Sequence, residues 1–144
     1  MYQKILVPLD IDYTETAAAV YRKAAELAGC SGGEIRLLSV LPGFGMPIVA
    51  SYVTDDIRRE TYESVCAALE DFIQKYCTPE VSYQVATGKN WEEIIKTAQN
   101  WGADLIVVYH NYRREFNEAF SGSCARRDAE HADCSVLWVR NVHP

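Results

Sequence analysis

Short apolar runs alternate along this chain with longer stretches whose apolar residues recur at helical spacing, and that alternation decides the fold class. KILVPL (4–9) is a continuous apolar run with a proline near its end and reads as a buried strand. EIRLLSVL (34–41), DLIVVY (104–109) and SVLWV (135–139) follow as further strands, DLIVVY being apolar enough for a central parallel one. VSYQVA (81–86) instead alternates strictly, which predicts a strand with one wet face at a sheet edge.

Between the strands the period changes. Ala17, Val20, Tyr21, Ala24, Leu27 and Ala28 share one helical face, with Asp12 and Glu15, or Thr14, placed to cap its start and Gly29 to stop it. A second helix is expected from about Thr54 to Tyr76, with a stripe of Ile57, Thr61, Val65, Ala68, Leu69, Phe72, Ile73 and Tyr76. Asn90 and Glu93 have the spacing of a capping box for a third helix, whose stripe is Trp91, Ile94, Ile95, Ala98 and Trp101 and which Gly102 ends. A short helix from about Ser121 to His131 precedes the last strand.

Strands alternating with helices imply parallel pairing through right-handed crossovers. The expectation is an α/β fold, a doubly wound five-stranded parallel sheet with helices on both faces. With no internal repeat or linker, residues 1–144 form one domain, long enough to bury a core. The connection 42–53, with Phe44, Met46, Ile48 and Tyr52, reads as a lid, a partner surface or a loop packed on the second helix.

Charge and cysteine content bound the function. A formal charge of −6 argues against a general nucleic-acid binder, which needs a basic face to displace counterions. Cys30, Cys66, Cys77, Cys124 and Cys134 are odd in number and show no CxxC pairing, so most are expected to be small buried hydrophobes. The start, MYQKILVPLD, lacks the apolar core of a signal peptide, which with these thiols points to the cytoplasm. No run approaches the ~18 apolar residues of a membrane span.

In an open parallel sheet, ligands bind beyond the carboxyl ends of the strands, where the winding reverses. Pro8-Leu9-Asp10, Val40-Leu41 and the stretch from Tyr109 to Ser123 meet there. Asp10 can accept hydrogen bonds from a sugar hydroxyl or a base amine, or it can cap the following helix. Gly122-Ser123 before a helix can present backbone N–H groups to an anion, or be a plain serine N-cap.

KILVPLD (4–10), LLSV (37–40), GADLIVV (102–108), GS (122–123) and HADCSVLWV (131–139), in this order and at this spacing, resemble the universal stress protein family over essentially the whole chain. The resemblance implies a Rossmann-like sheet in the order 3-2-1-4-5, of the adenine nucleotide alpha-hydrolase-like fold. It implies a homodimer paired through the last strands (135–139), where an apolar edge carrying Trp138 would otherwise lie bare. It implies a cytoplasmic stress-response module that binds ATP or another adenine nucleotide, although some members of this fold bind none. By position, Pro8, Leu9 and Asp10 would hold the adenosine end and the Val40 backbone the base. Tyr109 and Gly122, Ser123 and Cys124 would fall on the phosphate loop.

The chain departs from the family inside that loop. Nucleotide-binding members carry Gly-x2-Gly-x9-Gly-Ser, and counting back from Gly122 the first two glycines become Tyr109 and Tyr112. Glycine there lets the backbone approach phosphate and take positive φ, which tyrosine opposes. Asp128 is a second departure, standing where the family buries an aliphatic residue. Arg113 and Arg127, with Arg114 and Arg126, offer guanidinium contacts in place of lost backbone ones. The same arginines can simply pair with Glu115, Glu118, Asp128 and Glu130. A loop filled by Tyr109, Tyr112 and Phe116 would suit the branch that binds no nucleotide and acts through protein partners.

Other signals point nowhere further. CSGGEI (30–35) lies between a helix and the second strand, where a helix-ending turn explains it. His110 and His131 make no local metal pair, and His131 is expected to pack or cap beneath the last strand. No GxSxG elbow or general base marks a hydrolase, so the chain reads as a binding module rather than an enzyme, with weak nucleotide hydrolysis as a third reading.

Overall fold

The computed structural model describes residues 2–42, 55–110 and 129–140. Strand β1 (Lys4–Pro8) leads to helix α1 (Thr14–Ser31), β2 (Glu34–Pro42), α2 (Asp55–Tyr76), β3 (Ser82–Gly88), α3 (Asn90–Trp101), β4 (Leu105–Tyr109) and β5 (Ser135–Val139). All five strands run parallel in the order β3-β2-β1-β4-β5. This is the expected doubly wound sheet, with both edges where the sequence placed them.

The continuous apolar runs exist because both faces of each central strand are covered. Ile5 and Val7 of β1, Leu37 of β2 and Leu105 and Val107 of β4 face a core shared with α1 and α2. The intervening Leu6, Leu38, Ile106 and Val108 face a second core under α3. Each such side chain contributes about 1.5–3 kcal/mol by leaving water, so a polar residue at either parity would be costly. On β3, Tyr83 and Val85 join the first core while Ala86 packs against the second, and Gln84 accepts a hydrogen bond from Arg36. The expected wet face of β3 is therefore partly covered.

The helix ends differ from expectation. Gly29 lies inside α1, which runs three residues further and closes at Gly32 in the left-handed conformation (φ 68°). Tyr13, not Asp12 or Thr14, takes the N-cap position, and no side chain caps the helix. Lys89 precedes α3 in the same uncapped way, so Asn90 and Glu93 do not form a capping box. Gly102 does end α3, at φ 81°, with its N–H on the Ala98 carbonyl at 2.9 Å. In α2 only Leu69 and Phe72 are buried, and Ile57 at the head of the predicted stripe is 44% exposed. Residues 55–60, its first turns, are all exposed.

Other expectations meet corrections. Cys77 and Cys134 are half-buried free thiols that pack against the first and second cores, Cys66 is half-buried and Cys30 is exposed, so the expectation of mostly buried thiols holds only in part; Cys124 lies outside the described residues. His131 is exposed rather than packed beneath β5. Of the short helix expected at 121–131 only 129–130 is described as helical, and the connection 42–53 lies beyond residue 42 outside the described residues.

The amino end of the sheet is closely tied. The Asp104 carboxylate accepts the Gln3 N–H at 2.8 Å and the Lys4 N–H at 3.0 Å. The Lys4 ammonium reaches the Trp101 carbonyl at 3.2 Å, and the Arg36 guanidinium lies 4.6 Å from the Trp101 ring centre. A Cβ on Gly33 would stand 2.6 Å from the Tyr2 carbonyl oxygen, so only glycine fits there without movement.

Candidate ligand crevice at the carboxyl end of the sheet

At the carboxyl end the sheet divides. β1 stays with β2 as far as Pro8↔Leu38, and the Leu9 N–H still bonds the Leu38 carbonyl at 3.0 Å. β4 stays with β5 as far as Tyr109↔Val139, and the His110 N–H bonds the Val139 carbonyl at 3.0 Å. Between β1 and β4, however, pairing runs only through Ile5↔Leu105 and Leu6↔Ile106. Pro8 has no N–H to extend that ladder. The seam lies where the winding reverses, the position at which parallel sheets bind ligands.

Each wall carries a polar group. On the β1 side, the chain turns at Asp10: its carbonyl accepts the Tyr13 N–H at 3.1 Å and its Oδ1 accepts the Asp12 N–H at 3.0 Å. Asp10 Oδ2 makes no hydrogen bond among the described residues. Asp10 thus shapes the turn into α1 and keeps one carboxylate oxygen for another donor. On the β4 side, the half-buried Tyr109 packs on the α1–α2 core and meets the His110 ring edge-on, centres 5.1 Å apart. His110 Nδ1 is buried with no hydrogen-bond partner.

The structure brings Pro8, Leu9, Asp10, Val40 and Tyr109 to this end of the sheet. Pro8 is buried, and Leu9 and Val40 are 3% and 1% exposed with their side chains packed in opposite cores. Gly122, Ser123, Cys124, Arg113 and Arg127, with Tyr112 and Phe116, lie outside the described residues. Sequence reading singled out neither His110 Nδ1 nor Asn90 Oδ1, at the β3–α3 junction, which are both buried and without a hydrogen-bond partner. No residue spacing marks either, because both depend on what the fold packs around them.

Residues 1–140 match the family model described as the universal stress protein family. The chain belongs to that family. The universal stress protein YxiE of Bacillus subtilis is 28% identical over 148 residues, spanning 97% of this chain and 100% of the relative. Among solved structures, universal stress protein UspA from Lactobacillus plantarum superposes with a TM-score of 0.70 at 22% identity, covering 96% of this chain and 98% of that one. A universal stress protein from Archaeoglobus fulgidus, solved in complex with dAMP, has a TM-score of 0.60 at 24% identity, covering 96% and 98%. At these identities the structural likeness shows the fold, and this universal stress protein shares it.

Ionisable groups away from the crevice are tied to structure. Burial pushes the Cys77 thiol up to about 11 although the Tyr21 hydroxyl opposes the shift, which leaves little thiolate at neutral pH. Tyr83 is pushed up to about 12 chiefly by its hydrogen bond to Glu70, at 2.6 Å. Among the described residues no group of His, Cys, Asp and Glu is arranged to hold a metal ion, and no helix is long and apolar enough to cross a membrane.

Proposed function

We propose that this universal stress protein binds ATP or another adenine nucleotide in the crevice between β1 and β4, as a stress-response binding and signalling module. The observation that carries the reading is the early end of the β1–β4 ladder beside Asp10, whose second carboxylate oxygen suits a ribose hydroxyl or base amine. The relative in complex with dAMP supports an adenine nucleotide as the ligand class. Pro8, Leu9 and Val40 line the adenosine end through their backbones, and Tyr109, Gly122, Ser123 and Cys124 follow toward the phosphates, with Arg113 and Arg127 as added cationic contacts. Binding without turnover is proposed, and phosphate release above background would contradict it.

Mass spectrometry of the ligand that co-purifies, followed by ATP titration calorimetry, tests the reading. Bound adenine nucleotide with measurable affinity is the expected result. An empty protein without ATP affinity selects the second reading, a family member that binds no nucleotide and works through protein partners. That reading draws on Tyr109, whose packed ring stands where nucleotide-binding members carry glycine.

The proposed assembly is a homodimer joined along β5. Among the described residues β5 pairs only with β4, and Leu137 is 40% exposed on it. A bare apolar edge invites strand pairing, and a second copy satisfies it. Leu137→Lys is expected to yield monomers in analytical ultracentrifugation. The free thiols Cys30, Cys66, Cys77 and Cys134 suit a reducing compartment, in keeping with a cytoplasmic location.

A further inference from the structure

We infer that the outer edge of β3 accepts an added strand, an extended peptide segment of a partner protein whose helix-facing side chains are apolar and basic. The site lies at the opposite edge of the sheet from β5 and is separate from the β1–β4 seam.

Strand edges in folded proteins are blunted by charges, prolines, bulges or short length, because bare backbone groups pair with any strand that arrives. β3 carries none of these devices. Its sequence, SYQVATG, has no charge and no proline over seven residues. Its register with β2 runs without a bulge from Arg36↔Ser82 to Pro42↔Gly88. Among the described residues β2 is its only strand partner, so its other side presents backbone groups that no strand pairs.

A groove of about 650 Å³ lies between α2 and the start of this edge strand. Ile73, Cys77, Pro79 and Val81 give it apolar lining, and Glu70 and Tyr83 are among its polar walls. A strand added to β3 turns alternate side chains toward the α2 face, and so toward the groove. The carboxylate selects the sign of the charge they carry. Glu70 Oε1 accepts the Tyr83 hydroxyl at 2.6 Å, and among the described residues Glu70 forms no ion pair. Lys75, the next basic residue along α2, lies over the Tyr76 ring, 5.2 Å from its centre. A lysine or arginine on the added strand supplies the missing cation. Main-chain bonds then give affinity and the alternate side chains give specificity.

The test titrates the 15N-labelled full chain with acetyl-TVTKTV-amide, whose valines and lysine share one face of a strand. Amide signals of Ser82–Gly88 should shift and exchange more slowly with solvent, while those of Ser135–Val139 stay unchanged. Of two analogues N-methylated at odd or at even positions, one should bind and the other not, since only one edge of the peptide faces β3. Glu70→Gln should weaken acetyl-TVTKTV-amide about threefold, the loss of one exposed ion pair, and narrow its advantage over acetyl-TVTETV-amide. The wild-type titrations decide the matter even if that variant fails to fold. Absence of any shift in β3, shifts in β5 instead, or equal binding of both N-methylated peptides overturns the strand addition. Equal binding of the lysine and glutamate peptides to the wild type overturns the role of Glu70 and the basic partner with it. If every amide of Ser82–Gly88 already exchanges slowly in the free protein, a second copy or another part of the chain covers the edge, and the inference falls.

Discussion

The two ends of this sheet are built from the same strands but treat their polar groups differently. At the amino end, Asp104 holds two backbone amides, Lys4 holds a carbonyl, and Arg36 is shared between Ser82, Gln84 and the Trp101 ring. At the carboxyl end, among the described residues, Asp10 Oδ2 makes no hydrogen bond, and Asn90 and His110 each bury an atom without a partner. One end is closed by its own residues, so changes there should register as stability. The proposed nucleotide site lies at the other, so changes there should register as affinity.

The strongest challenge to that contrast is Gly33→Ala. Its Cβ meets the Tyr2 backbone oxygen, which cannot swing aside as a side chain would, and the neighbouring Glu34 N–H bonds Gln3. Denaturant unfolding should show a loss of about 1–3 kcal/mol, with nucleotide affinity of the folded protein unchanged.

Next comes Asp104→Asn, which removes one of two acceptors and should cost about 1 kcal/mol. Burial opposes ionisation of Asp104, but the Gln3 and Lys4 amides outweigh it and hold its carboxyl below the ordinary value. The unfolded chain therefore takes up that proton first on acidification. The contribution of Asp104 is complete above the ordinary carboxylate pKa and is lost as pH falls through the lower folded value. A stability profile from pH 7 downward, roughly two units past the ordinary value of about 3.9, should be flatter for the variant than for the wild type.

Asp10→Ala should have the smallest effect on stability, within about 0.5 kcal/mol, since it is partly exposed and water replaces its one bond to Asp12. Its nucleotide affinity should nevertheless fall about tenfold. A large stability loss without an affinity change would erase the distinction between the two ends.

Much of the fold was legible beforehand for a local reason. A strand covered on both faces must be apolar at both parities, and the Ile5-Leu6-Val7 and Ile106-Val107-Val108 runs record that directly. The α3 stripe was legible too, through Trp91, Ile94 and Ala98, although the buried Thr97 broke its apolar rule. The α2 stripe misled at Ile57, because periodicity shows which face of a helix is apolar and not which of its turns the rest of the fold covers.

By itself, then, the sequence determined the α/β class, the strand positions and family membership, all of which follow from local apolar patterns and short motifs. Tertiary structure alone decided that α1 passes Gly29 and closes at Gly32, that neither α1 nor α3 is capped by a side chain, and that the β1–β4 ladder stops at Leu6. It alone left His110 Nδ1 buried and unpartnered. Where a helix ends, where two strands part and whether a nitrogen finds a partner depend on neighbours distant in the chain. No local pattern encodes them.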